Sequence, residues 1–128
     1  MTQQYTEELL KHFNNPKFVK DVEDADGVGE VGNVACGDVM HLEIKVKNGV
    51  IEDIGFKTFG CAAAIASSDV VCELAKGKTI EEAEKISKDD IVEKLKGMPQ
   101  IKVHCSVLGI EALKKAIEDY REKTGDNN

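Results

Sequence analysis

No apolar run in this chain is long enough to enter a bilayer. The longest, Cys61 to Ala66, stops at Ser67, well short of the ~20 residues that a membrane-spanning helix needs. No basic stretch followed by an apolar one opens the chain, so a targeting segment is not expected. Clusters of Lys and Arg are also missing, and the formal net charge is -7. That balance argues against a nucleic-acid or anionic-membrane surface, both of which need concentrated positive charge to release counterions. Internal repeats and low-complexity tracts are absent as well. The four cysteines lack the two-residue spacer of a zinc ribbon and the clustered run of a bacterial ferredoxin. With no targeting segment, a reducing cytoplasm is the simplest compartment. There, cysteines serve as ligands or nucleophiles more often than as disulfides.

What is present suits one domain, residues 1–128, able to bury roughly two-thirds of the surface its unfolded form exposes. Thr2 to Phe13 places Tyr5, Leu9, His12 and Phe13 at helical spacing, and Asn14-Asn15-Pro16 ends the pattern. Periodicity then fails from Lys17 to Gly32, where acidic residues and glycines accumulate, which reads as a solvated, mobile connection. Gly29 to Ala35 is expected to add a strand. Met40, Leu42, Ile44 and Val46 alternate with polar residues, the period of a half-buried strand. Asn48-Gly49 predicts a tight hairpin turn, and Val50 to Phe59 returns with Ile54 and Phe56 inward.

After Gly60 the alanine-rich stretch predicts a helix that Lys76-Gly77 closes. Thr79 with Glu82 forms a capping-box pattern for a short helix, Ser87 to Lys96 makes another, and Pro99 interrupts. A last amphipathic helix from Ser106 to Lys123 sets Leu108, Leu113, Ala116, Ile117 and Tyr120 on one side. The fold expected is α+β: a small antiparallel three-stranded sheet with helices packed on one face and a metal site at the loop ends.

Three cysteines sit at element boundaries beside metal-compatible neighbours: Cys36 in a Cys-Gly-Asp turn with Asp38, Cys61 after Gly60, and Cys105 after His104. They read as one soft-metal site that assembles only when the domain folds. Stable clusters usually take four thiolates, so three with Asp38 or His104 suggest a loosely held one. Cys61 and Cys105 each stand at an expected helix start, where unpaired amides and the dipole favour a thiolate. Lys102, two residues before His104 in an extended segment, could balance the charge of the site or pair with Asp38. Three bland or rival readings stand beside this one: ordinary buried cysteines, a structural zinc ion, and a sulfurtransferase in which a single cysteine turns over. Cys72 lies three helical turns from Cys61, about 16 Å along the axis, and is read as packing. His12 is read as helix packing and His41 as a solvent-facing strand residue.

Taken together, Ala35-Cys36-Gly37-Asp38-Val39-Met40, Gly60-Cys61-Ala62-Ala63-Ala64-Ile65-Ala66-Ser67-Ser68 and Lys102-Val103-His104-Cys105-Ser106 closely resemble the IscU/NifU-type iron-sulfur cluster assembly scaffolds. The likeness runs from Tyr5, through His12-Phe13-Asn14-Asn15-Pro16, to Tyr120. The insertion of the related SufU branch between the second and third cysteine is lacking. The resemblance implies a scaffold, not an enzyme, that builds a [2Fe-2S] cluster, or [4Fe-4S] in a homodimer, from iron and desulfurase-derived sulfur and passes it to apo-proteins.

Cys36, Asp38, Cys61, His104 and Cys105 would supply the ligands, and Cys105 or Cys36 would take a persulfide from an IscS/NifS-like cysteine desulfurase. The family's aspartate at the Asp38 position goes with a labile cluster, and zinc is a known alternative occupant of the pocket. A ferredoxin or a frataxin-like protein would be further partners. Bacterial relatives carry a Leu-Pro-Pro-Val-Lys recognition sequence for an Hsp70-type chaperone. Here Met98-Pro99-Gln100-Ile101-Lys102 stands in its place, which departs from the pattern for chaperone-dependent release.

Overall fold

The computed structural model describes residues 6–33, 38–59, 62–97 and 104–124, with backbone alone for residues 33, 38, 59, 62, 104–106 and 124. Tyr5, Cys36, Cys61 and residues 98–103, with Pro99 and Lys102 among them, lie outside the described residues. So do the side chains of Asp38, His104 and Cys105.

Helix α1 (Glu7–Asn14) opens the described chain. Three strands follow, β1 (Gly27–Asn33), β2 (Asp38–Lys47) and β3 (Val50–Phe59), in an antiparallel sheet of order β1-β2-β3. Helices α2 (Ala62–Ala75), α3 (Ile80–Ala83), α4 (Lys88–Lys94) and α5 (His104–Thr124) complete it.

The alternation read along β2 holds. Met40, Leu42 and Ile44 are fully buried and face Ile54 and Phe56 across the pairs Ile44↔Ile54 and Leu42↔Phe56. Asn48 and Gly49 both have positive φ, 56° and 76°, as a hairpin turn of this hand requires. A register shift at Lys45/Val46 brings Ile51 to the core as well, although its odd spacing from Ile54 would otherwise turn it outward. Both capping boxes are formed, Thr79 with Glu82 ahead of α3 and Ser87 with Asp90 ahead of α4.

Helix α2 is the centre of the molecule. Ala63, Ala64, Ala66, Val70, Val71, Cys72 and Ala75 are all buried, as expected for a helix covered on nearly every side. The sheet lies on one flank of α2, with α1, α4 and α5 around the rest. Leu9 of α1, Ile91 and Leu95 of α4, and Leu113 and Ile117 of α5 finish one continuous core. Each such side chain contributes roughly 1.5–3 kcal/mol by leaving water.

The expectation of a solvated connection over Lys17 to Gly32 is corrected in part: Gly27 onward is strand β1, and residues 17–26, though mostly exposed, are bonded to the sheet. Residues 17–26 form a strap that bridges to the free edge of β3 at Val19↔Phe56 and then crosses the face of the sheet opposite the helices. The Phe18 carbonyl accepts the Phe56 amide of β3 at 2.9 Å, Lys20 lies over Gly55, the Val22 amide donates to Glu43 Oε1 at 2.8 Å, and Asp26 donates its amide to Ile44 at 2.8 Å. Val22 is buried. The strap is polar in sequence because its bonds run through backbone and ion pairs, Lys20–Asp53 and Asp21–Lys57, both at 2.7 Å.

Candidate metal centre

The end of β1, the start of β2 and the end of β3 lie together at one end of the sheet. Residues 34–37, which include Cys36, connect β1 to β2 in the sequence, and the last residue of β1 pairs with the first of β2 as Asn33↔Asp38. The neighbouring pair Val39↔Phe59 places the end of β3 beside the start of β2. Cys61 is the residue immediately before α2.

Helix α5 is brought to the same end by two glycines. A Cβ on Gly29 would lie 2.1 Å from the carbonyl oxygen of Ala112, and one on Gly27 would lie 2.1 Å from that of Ala116. Two residues along β1 therefore correspond to four along α5 in the opposite sense, consistent with rises of about 3.3 and 1.5 Å per residue. Continuing this pairing brings the first turn of α5, with His104 and Cys105, level with the Asn33↔Asp38 pair. Helix α5 begins at His104, two residues earlier than the Ser106 expected from the sequence, so Cys105 belongs to the helix itself.

Helices α1, α3 and α4 each carry acidic residues in the first turn, whereas α2 and α5 carry none. The positive N-terminal dipoles of α2 and α5 are thus left for other negative charge, and each has a cysteine at or next to its start. By residue type, three thiols with a carboxylate and an imidazole would suit iron or zinc. Among the described residues no group of three or more His, Cys, Asp or Glu is arranged to hold a metal ion.

Cys72 is fully buried, and its thiol is pushed well above the usual range by burial first and by the charge of Asp69 second. It packs, as expected. His12 packs too, but against a partner the sequence reading missed: its Nδ1 lies 2.6 Å from Asp69 Oδ2. Asp69 Oδ1 also accepts the amides of Lys17 and Phe18, at 2.8 and 3.0 Å. A lone aspartate in an Ala/Ser/Val helix was the available signal. His41 is half-buried rather than simply solvent-facing, held between Glu30 and Glu43.

The sequence matches the model of the NifU-like N terminal domain over residues 4–127. It is 57% identical over 121 residues to the iron-sulfur cluster assembly scaffold protein IscU 1 of Archaeoglobus fulgidus, covering 94% of this chain and 79% of the relative. It is 49% identical over 123 residues to the scaffold protein IscU of Escherichia coli K12, covering 93% and 95%. Among solved structures, the putative SUF-system scaffold of Fervidobacterium islandicum superposes with a TM-score of 0.75 at 27% identity, covering 88% of this chain and 96% of that one. A NifU-like protein from Brucella abortus shares the fold, with a TM-score of 0.74 at 20% identity.

Proposed function

The chain belongs to the NifU-like N-terminal domain family, and from that membership we propose that residues 1–128 are a single scaffold domain on which an iron-sulfur cluster is assembled and then given away. The observation that carries the reading is that the end of β1, the start of β2, the end of β3 and the first turn of α5 lie at one end of the sheet.

On this reading Cys36, Cys61 and Cys105 bind the cluster as thiolates, and Asp38 or His104 completes the set. The cluster is cargo, [2Fe-2S] or [4Fe-4S], and zinc is an alternative occupant. Sulfur arrives from a cysteine desulfurase: a Cys105 or Cys36 thiolate attacks the outer sulfur of the donor persulfide, the donor's S–S bond breaks, and the donor leaves as thiolate. Two electrons, from a ferredoxin or a thiol, then reduce each transferred sulfur to sulfide. Lys102 offsets negative charge at the site. Asp38, a harder oxygen ligand, keeps the cluster exchangeable. Apo iron-sulfur proteins are the acceptors, and a reducing cytoplasm is the compartment in which such thiols persist. No described helix is long and apolar enough to cross a membrane.

Anaerobic reconstitution with iron, sulfide and a thiol reductant tests the reading. A coloured species that moves to an apo-ferredoxin is expected, and Cys36→Ser, Cys61→Ser and Cys105→Ser should each impair its retention. Binding of zinc with no cluster would favour the zinc-protein reading. Loss of sulfur transfer in one variant with the other two silent would favour a sulfurtransferase. Asp38→Ala should slow cluster transfer; faster bleaching of the cluster would contradict the role given to Asp38.

A further inference from the structure

On the face of the sheet opposite the helices, the pair Glu30↔His41 lies next to the pair Val28↔Glu43. His41 uses both ring nitrogens: Nδ1 lies 3.3 Å from Glu30 Oε1 on β1, and Nε2 lies 3.0 Å from Glu43 Oε2 on its own strand. The second oxygen of Glu43 accepts the Val22 amide of the strap at 2.8 Å. The chain β1–Glu30–His41–Glu43–strap therefore runs through one imidazole. We propose that His41 is a proton-operated clamp, fastening the strap to β2 through Glu43 when the ring is charged and easing it when it is neutral.

Doubly protonated imidazole donates from both nitrogens, whereas the neutral ring donates from only one and presents a lone pair to the other carboxylate. The charges around the ring favour the doubly donating form. On β3, Lys57 stands opposite His41, but its ammonium is taken up by Asp21 of the strap at 2.7 Å. Lys45, further along β2, leans toward Asp26 at 3.9 Å. That leaves Glu43 and Glu30 as the groups whose charge His41 answers. Glu43 is the better screened from water, its side chain 19% exposed against 59% for Glu30, so the strap connection dominates.

The titration directions agree with the geometry. The bond to Glu43 raises His41 above its ordinary range, against partial burial and with further help from Glu30. Partial burial pushes Glu43 up, but the Val22 amide and His41 together outweigh it and the net shift is downward. The raised histidine adds stability in full below about pH 6.5, and this is lost as pH climbs through the folded-state value. The lowered glutamate adds stability above its unfolded value, which is lost as pH falls through the folded one. The clamp is thus closed between the lowered glutamate pKa and the raised histidine pKa.

Site-resolved hydrogen exchange on the metal-free full chain, from pH 5.5 to 8.5, tests this. Protection factors, which remove the base-catalysed intrinsic rate, are compared at two amides. Val22 reports the clamp. Val28, whose amide donates to Asp119 at 2.9 Å, is the control on β1. Protection at Val22 is expected to fall about threefold across the range in the wild type while Val28 stays level, and His41→Gln should be low and flat at Val22. NMR titration of the His41 ring supplies a second readout, with Glu43→Gln expected to lower its midpoint. A pH-independent Val22, a His41→Gln variant that traces the wild-type curve, or an unmoved midpoint in Glu43→Gln would overturn the proposal.

Discussion

Asp69 is 1% exposed and carries a carboxylate into the middle of a helix of small and apolar residues. It is tolerated because three donors converge on it: the His12 ring, 12% exposed at its side chain, and the amides of Lys17 and Phe18. One side chain thus holds the end of α1 and the start of the strap to α2. Asp69→Ala leaves all three donors without an acceptor, and we expect a loss of about 3 kcal/mol, read from the urea midpoint. Asp69→Asn, which keeps a carbonyl for the amides, should lose about half as much. A midpoint unchanged in Asp69→Ala would remove this anchoring role. Cys72 gives the opposite prediction for chemistry. Cys72→Ala should cost about 1 kcal/mol and leave iron and sulfide stoichiometry unaltered, because the thiol is sealed in the core and raised by burial.

At the level of elements, the contact between β1 and α5 decides where the third cysteine goes. Gly29 has no room for a Cβ because backbone, not a yielding side chain, stands 2.1 Å away at Ala112. Gly29→Ala should therefore push α5 off the sheet, lowering stability by about 1–3 kcal/mol and weakening cluster retention in the same variant. A cluster held as well as in the wild type, with the melting temperature lowered, would separate the helix position from the site.

This contact also marks the limit of what the sequence disclosed. The β2–β3 hairpin was legible because Met40 to Val46 alternate and Asn48-Gly49 specifies the turn. So were α3 and α4, because Thr79, Glu82, Ser87 and Asp90 are local signals. So was the placing of Cys61 and Cys105 beside the starts of two helices. The docking of α5 on β1 was not, since it rests on two glycine notches, and backbone-to-backbone approach leaves no hydrophobic period. The strap's ties were equally hidden, being backbone bonds and polar pairs: Lys20 to Asp53 of β3, Asp21 to Lys57, and Asp26 to the Val46 amide. At the N-terminus Thr6 caps the helix that starts at Glu7, and residues 2–5 of the expected helix lie outside the described residues.

For the whole molecule, the proposed ligand set, drawn from separate segments, would couple metal binding to folding. An unfolded chain with its cysteines tens of residues apart must close long loops to gather them, whereas the folded chain has already met that entropy cost. A metal that needs all three thiols should then bind the folded state far better, and its stabilisation follows RT ln(1 + [L]/Kd), about 2.7 kcal/mol at a free concentration a hundred times Kd. For a domain of this size that is roughly a 10 °C rise in melting temperature. Zinc is the simplest probe, because it brings no redox chemistry. Adding it to the metal-free chain should raise the melting temperature by that order, EDTA should reverse the rise, and Cys36→Ser, Cys61→Ser and Cys105→Ser should each reduce it. Cys72→Ala should shift the metal-free and zinc-loaded transitions equally. Zinc bound at one equivalent with no change in melting temperature would mean that the ligands are equally available in the unfolded chain. The meeting of the elements at one end of the sheet would then have no bearing on binding.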